Sequence, residues 1–320
     1  MCACLKRMPA RSIDRINPLR VGDRCPMFKT AFRKIISSVA LRRFPDIVGS
    51  LAGLLAASWI PGASAEEQAS AVASDTYSSA GRSPYQVARL RKGSPTAPWR
   101  VVIVPGTPST VEGWRETLER GRGDIEFIAI ERLGFGKSEP RDAVLDFDDQ
   151  LLALEPLVNE RPGRTILVGH SLGGPLVLHA ALAYSDKVAA VVSLAGSFDP
   201  ELEEIHPLQH VGRWWGIRHV LPRLLRNSNE ELFAHKEELT RLAGRLGQVE
   251  VPVVIVHGTD DSLVPYENSD FLMERLPEGL IVERRTLDGV GHVLQSHSVD
   301  AVLRGIDRVI ELVEGDADST

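Results

Sequence analysis

The sequence predicts an α/β domain: a mainly parallel sheet flanked by helices, with a short helical insertion that reads as a lid. Three observations point there. Continuous β-branched runs such as Val101-Val102-Ile103-Val104 lack polar alternation, as strands covered on both faces do. Helix-length amphipathic stretches alternate with these runs, which is the signature of βαβ crossovers. The alternation breaks once, over residues 198–250, about fifty residues between two core strands. That stretch holds Trp214-Trp215 and a helical run over 230–246. Its position places it over the carboxyl edge of the sheet, where open α/β sheets bind ligands.

The elements follow in order. Residues 85–90 alternate like a half-buried strand, and the run ending at Val104 is stopped by Pro105-Gly106. Residues 110–120 read as a helix, 125–130 as a buried strand, 147–160 as a helix and 165–168 as a strand. A small-residue helix over 172–184 and a strand over 188–194 precede the insertion. After it come a strand over 251–256, a helix over 268–276, a strand over 280–285 and a closing helix over 299–313. Residues 314–320 read as a frayed acidic tail, and no internal repeat is evident.

The N-terminal part has a different character. Residues 1–65 carry 11 Lys/Arg against three Asp, a net of +8, which leaves −14 on the other 255 residues of the 320. A body that acidic repels phosphate backbones, so nucleic acid is not an expected partner. The basic stretch runs into about fourteen mostly apolar residues, 47–60, and then Pro61-Gly62-Ala63-Ser64-Ala65. A positive flank, a short apolar run and a small-x-small ending make a secretory signal. As helix the run rises only about 21 Å, short of the roughly 30 Å hydrocarbon core. The expectation is an exported protein, periplasmic or secreted, the alternative being an uncleaved N-terminal membrane anchor. Met27 offers a second start with a more usual flank. All three cysteines (Cys2, Cys4, Cys25) precede the expected cleavage site, so the mature body would hold no disulfide or thiolate. The chain therefore divides into residues 1–65, an Ala/Ser-rich linker over 66–84 and a domain over 85–320 with its insertion at about 198–250.

Gly169-His170-Ser171-Leu172-Gly173 carries the chemistry. A serine on a sharp strand-to-helix turn needs small neighbours on both sides, and the strand before it and Ala/Leu helix after it supply that setting. Pro175 falls in the first turn of that helix, where its missing N–H costs nothing. Ser171 is the candidate nucleophile. A general base is then needed downstream. Of the nine histidines, His292 stands in Asp288-Gly289-Val290-Gly291-His292, a glycine-rich loop past the last expected strand. An orienting acid belongs between the two in chain order. Asp260 and Asp261 follow the strand that ends near His257, and Asp199 follows the preceding one. Position alone leaves the three open.

The elbow, the Gly258-x-x-Asp261-x-x-Val264-Pro265 segment and the Gly289-x-Gly291-His292 loop resemble the α/β-hydrolase superfamily, in its lipase, esterase and haloperoxidase-like branch. The resemblance covers roughly residues 85–313 and implies the α/β-hydrolase fold, with Asp261 as the acid of a Ser-His-Asp triad. The family's Asp-Arg-x-Gly-x-Gly-x-Ser loop appears with Glu131 in place of Asp, followed by Arg132, Gly134, Gly136 and Ser138. Its His-Gly-x oxyanion segment appears as Pro105-Gly106-Thr107, where proline removes the usual histidine's hydrogen bonds. The donors implied are the backbone N–H groups of Thr107 and Leu172, which that change leaves in place. Gly136-Lys137-Ser138 is no phosphate loop, because Glu131 occupies the position of its required first glycine.

The expected activity is hydrolysis of small-molecule carboxylic esters through an acyl-enzyme, with no cofactor and no metal. Acyl transfer to an alcohol and cofactor-free perhydrolysis are alternatives on the same fold. A further alternative is a slow-turnover ligand-binding protein that keeps the triad. Membrane contact is expected only through an uncleaved N-terminal segment.

Overall fold

The computed structural model describes residues 71–205 and 207–317. The signal or anchor expected over residues 1–65, and the cysteines within it, lie outside the described residues.

Eight strands form one sheet in the order β1-β2-β4-β3-β5-β6-β7-β8. They are β1 (Ala73–Ser78), β2 (Gln86–Lys92), β3 (Trp99–Val104), β4 (Ile125–Ile130), β5 (Thr165–His170), β6 (Val188–Leu194), β7 (Val253–Gly258) and β8 (Val282–Leu287). β1 and β2 pair antiparallel, as do β2 and β4, and every other pairing is parallel. The strand order reverses at β3, which has β4 on one side and β5 on the other. A crevice opens at the carboxyl ends of strands where the order reverses in this way.

The β-branched runs form doubly covered strands because alternate residues feed two cores. Val102 and Val104 of β3 join one cluster with Leu167 of β5 and Val191 of β6. Helices α2 (Phe147–Glu160) and α3 (Gly173–Ala183) cover that face with Leu151, Leu154, Leu176 and Val177. Val101, Ile103, Ile166, Val168 and Val192 join the other, under α1 (Arg115–Arg120) and the closing helix α9 (Val299–Ala317). Each fully buried Val, Leu or Ile contributes roughly 1.5–3 kcal/mol, so the sheet is a rigid base for the loops at its edge.

Three expectations need correction. Part of the segment read as a linker is the edge strand β1. Its exposed and half-buried side chains lack an apolar alternation. It is held instead by ladder pairing to β2, by Asp75 against Arg89 and Arg91, and by Tyr77 Oη donating to Ala153 O at 2.6 Å. The helix expected over 110–120 is a 3₁₀ turn, Val111–Trp114, that leads into α1. The tail does not fray at 314: α9 continues to Ala317, with Trp99 Nε1 donating to Glu314 Oε1 at 2.9 Å.

The insertion between β6 and β7 holds α4 (Pro207–Gly212), α5 (Trp215–Val220) and α6 (Arg223–Ala243). Helix α6 begins earlier than its apolar periodicity suggests, because its first turn is anchored by polar contacts. Arg223 donates to the carbonyls of Gly136, Ser138, Pro140 and Arg141, and Asn227 to those of Gly134 and Arg141. The insertion is thus fastened to the loop that leaves the carboxyl end of β4. The remaining helices are α7 (Glu267–Arg275) and α8 (Leu294–His297). Among the described residues no helix is long and apolar enough to cross a membrane.

Candidate active site

Ser171 sits between the end of β5 and the start of α3 with φ of 56°, a left-handed backbone that non-glycine residues rarely adopt. The turn holds this conformation because Ser171 N donates to Leu194 O and Gly174 N donates to Ser171 O. Its glycines are dictated by close approach. A Cβ on Gly169 would lie 2.2 Å from Gly173 O, and one on Gly173 would lie 2.2 Å from Val104 O. The strain at a single serine, held by two tightly packed neighbours, presents its hydroxyl at the carboxyl edge. Leu172 is the N-cap of α3, so its N–H is among the orphan donors of a helix start.

The loops after β7 and β8 bring Asp261 and His292 together. His292 Nδ1 and Asp261 Oδ2 are 2.7 Å apart. Asp261 Oδ1 accepts from the backbone N–H groups of Leu263 and Val264 at 2.9 Å each. Burial alone would raise this carboxyl's pKa. Hydrogen bonds from His257 and His292 and from the Val264 amide outweigh burial and hold it well below the ordinary carboxylate range. An ionised Asp261 requires the proton on His292 Nδ1, which leaves Nε2 with a free lone pair. The two loops are laced together by Thr259 N to Leu287 O, Asp260 N to Val290 O and Gly289 N to Thr259 Oγ1. No hydrogen bond joins Ser171 Oγ to His292 among the described residues. Such contacts commonly tighten only when substrate is bound.

Of the other two acids, Asp260 is exposed. Asp199 caps its own turn by accepting from Glu201 N at 2.9 Å. His257 is a buried support, with Nε2 donating to Val264 O at 3.0 Å and lying 3.4 Å from Asp261 Oδ2. His170, inside the elbow, contacts His292 through Nε2 and the His292 carbonyl at 2.9 Å. Burial and the neighbouring His292 push the His170 pKa down to about 3, so it stays a neutral donor.

The segment expected to supply the oxyanion donors lies directly over Ser171. A Cβ on Gly106 would fall 2.6 Å from Ser171 Cβ and 3.2 Å from its Oγ, so only glycine fits there. The carbonyl of Gly106 accepts from Arg132 Nη2 at 3.2 Å. Arg132 in turn forms a bidentate pair with Glu231 of α6, at 2.5 Å (Nη1–Oε1) and 3.0 Å (Nη2–Oε2), and both side chains are buried. Sequence reasoning singled out Arg132 only as part of a loop pattern, and Glu231 not at all. The pair spans 99 positions, which leaves no local signal. Glu131 is also buried. Its Oε1 accepts from Val111 N at 3.1 Å, and burial pushes its carboxyl up.

A second serine–histidine contact exists, Ser197 Oγ to His235 Nε2 at 2.8 Å. It lacks the features of a nucleophile and its base. Both side chains are buried, burial pushes the His235 pKa down to about 3, and its Nδ1 has no hydrogen-bond partner. The carboxylate nearest to it, Glu203, lies 3.9 Å from Nε2 and so does not orient the ring through Nδ1. Trp214 and Trp215 are 67% and 81% exposed, so they are not packing residues within the insertion. A cavity of about 10 Å³, room for a single water-sized guest, lies among Arg132, Phe147, Leu172, Glu231 and His235. Among the described residues no group of three His, Cys, Asp or Glu side chains is placed to hold a metal ion.

Comparison with known proteins agrees with this architecture. The lipase LipV of Mycobacterium tuberculosis is 34% identical over 106 residues, 33% of this chain and 40% of its own. A mitochondrial palmitoyl-protein thioesterase, ABHD10 of Mus musculus, is 29% identical over 198 residues, 55% of this chain and 63% of its own. The match therefore spans less than two thirds of either relative's length. Among solved structures, the haloalkane dehalogenase DbeA of Bradyrhizobium elkani superposes with a TM-score of 0.62 at 18% identity, covering 77% of this chain and all (100%) of that one. A bromoperoxidase of Bacillus anthracis gives 0.56 at 18%, covering 74% and 100%. At such identities the likeness speaks to the fold. Residues 101–304, well over half of the sequence, match the model of the alpha/beta hydrolase family, and the chain belongs to that family.

Proposed function

We propose that the chain is a serine hydrolase of carboxylic esters, with Ser171 as nucleophile, His292 as general base and Asp261 as its orienting acid. The observation that carries this reading is the 2.7 Å contact between His292 Nδ1 and Asp261 Oδ2, at the sheet edge that also presents the positive-φ Ser171. As Ser171 Oγ bonds to the substrate's carbonyl carbon, its proton passes to His292 Nε2, and Asp261 stabilises the imidazolium. The amides of Thr107 and Leu172 hold the carbonyl oxygen as it becomes anionic. The proton then goes to the leaving alcohol as the C–O bond breaks, and a water activated by the same imidazole releases the acid. The named relatives act as a lipase and a palmitoyl-protein thioesterase. The same steps serve an oxoester or a thioester, and an acyl group with an apolar chain is the expected substrate class. Over this site the insertion acts as the lid, and residues 1–65 direct export. A mature N-terminus near Glu66, read by mass spectrometry of protein from its native host, tests the export reading, and an intact Met1 or Met27 terminus in the cytosol overturns it.

The direct kinetic test uses p-nitrophenyl esters of graded chain length. Ser171→Ala should lower turnover by on the order of 10⁶ while leaving the melting temperature in place. Turnover equal to that of the unsubstituted protein would sink the assignment.

A further inference from the structure

Resting on the hydrolase reading, we propose that the buried Arg132–Glu231 pair is a positioning device for the oxyanion hole, through which the insertion controls turnover. The argument begins with one peptide plane. The Gly106 carbonyl and the Thr107 N–H belong to the same planar unit, and in a trans peptide they point in opposite directions. Arg132 Nη2 holds the carbonyl at 3.2 Å and thereby fixes the direction of the Thr107 N–H. The unit stands against the nucleophile, since Gly106 has no room for a Cβ over Ser171. A small rotation of this plane moves the donor away from the developing oxyanion.

The residue on the other side of Gly106 offers no anchor. Pro105 has neither an N–H nor a polar side chain. Arg132 itself is fixed by the two-toothed contact with Glu231 and by stacking on Phe135, with its Cζ 4.5 Å from the ring centroid. A planar guanidinium can satisfy both carboxylate oxygens and the Gly106 carbonyl together, whereas an ammonium cannot match that fork. Glu231 lies on α6, whose first turn is fastened to the loop after β4 by Arg223 and Asn227. The insertion is therefore connected to the hole by a continuous chain of contacts, from α6 through Glu231 and Arg132 to Gly106. Displacing α6 would withdraw Glu231, free Arg132 and unfix the donor.

The test measures kcat, KM and melting temperature on p-nitrophenyl esters, with a trifluoromethyl ketone as a probe whose serine adduct bears the oxyanion. Removing one charge alone would strand its partner in the core, so the principal variant is the double Arg132→Met/Glu231→Leu, which replaces the pair with apolar side chains of similar size. It should lower kcat by on the order of 10²-fold, as loss of one oxyanion donor does. KM should stay within about 2-fold and ketone affinity should fall by the same factor as kcat, because only transition-state binding is lost. Folded double variant with unchanged kcat, or with raised KM and unchanged kcat, overturns the proposal. If the double variant does not fold, Arg132→Lys decides: a kcat at least about 10-fold lower at unchanged KM supports the positioning role, and an unchanged kcat overturns it. If the unsubstituted protein neither turns over esters nor reacts with the ketone, the hydrolase reading falls and this inference with it. If the unsubstituted protein does both and the variants match it, only the inference falls.

Discussion

Asp261 and Asp260 are neighbours in sequence, yet one is buried against His292 and the other is exposed to solvent. The difference comes from the turn after β7, where Leu263 N and Val264 N both donate to Asp261 Oδ1 and fix the direction of its carboxyl. Asp261→Asn should therefore cost on the order of 10⁴ in turnover, because an amide can impose the wrong imidazole tautomer and cannot stabilise the imidazolium. Asp260→Asn and Asp199→Asn should leave turnover within a few-fold. Steady-state rates of the three variants decide the matter, and a crippled Asp199→Asn beside a normal Asp261→Asn would remove Asp261 from the mechanism. Ser171 and His292 were legible as candidates at this scale because each stands in a short glycine-rich pattern, whereas Asp261 was set apart from Asp260 and Asp199 only by the resemblance to the family. The residues around it were not. Glu231 reaches Arg132 across 99 positions, and the His170 contact with the His292 carbonyl spans 122. Such pairings exist only once the chain is folded.

Among the elements, legibility followed burial. β3, β4 and β5 are buried along their whole length, so their runs of Val and Ile announce them. β1 is held by ladder hydrogen bonds and by Asp75 between two arginines, none of which leaves an apolar period to read. The 3₁₀ turn before α1 was read as helix because a tight turn buries Val111 and Trp114 at the same spacing a helix would. The insertion was the least legible part. α4 and α5 are short, and α5 buries none of its residues, so hydrophobic periodicity had nothing to act on. Helix α6 is ordered at its start by arginine and asparagine contacts to loop carbonyls rather than by an apolar stripe.

Across the molecule, the site and the stability are linked through buried histidines that stay neutral. His170 has its folded pKa pushed down to about 3, against an unfolded value of about 6.5. The unfolded chain therefore binds the extra proton between these values, and stability is lost as pH falls below about 6.5. From this group alone the loss at pH 5 is about 2 kcal/mol. His235 acts in the same direction, while Glu203, raised to about 7 by burial, opposes it because the folded state holds its proton. Urea midpoints at pH 7 and pH 5 should thus differ less in His170→Gln than in the unsubstituted protein. An equal difference in the two would refute the neutral His170. The neutral imidazole matters to the proposed mechanism as well, because a charged His170 beside His292 would oppose the imidazolium that this mechanism requires. The central claim is that this whole arrangement activates one serine. Labelling the folded protein with a fluorophosphonate and locating the adduct by peptide mass spectrometry tests it most directly. The account predicts a single adduct on Ser171, lost in Ser171→Ala. An adduct on Ser197, beside His235, or no adduct in protein that turns over esters, would contradict it.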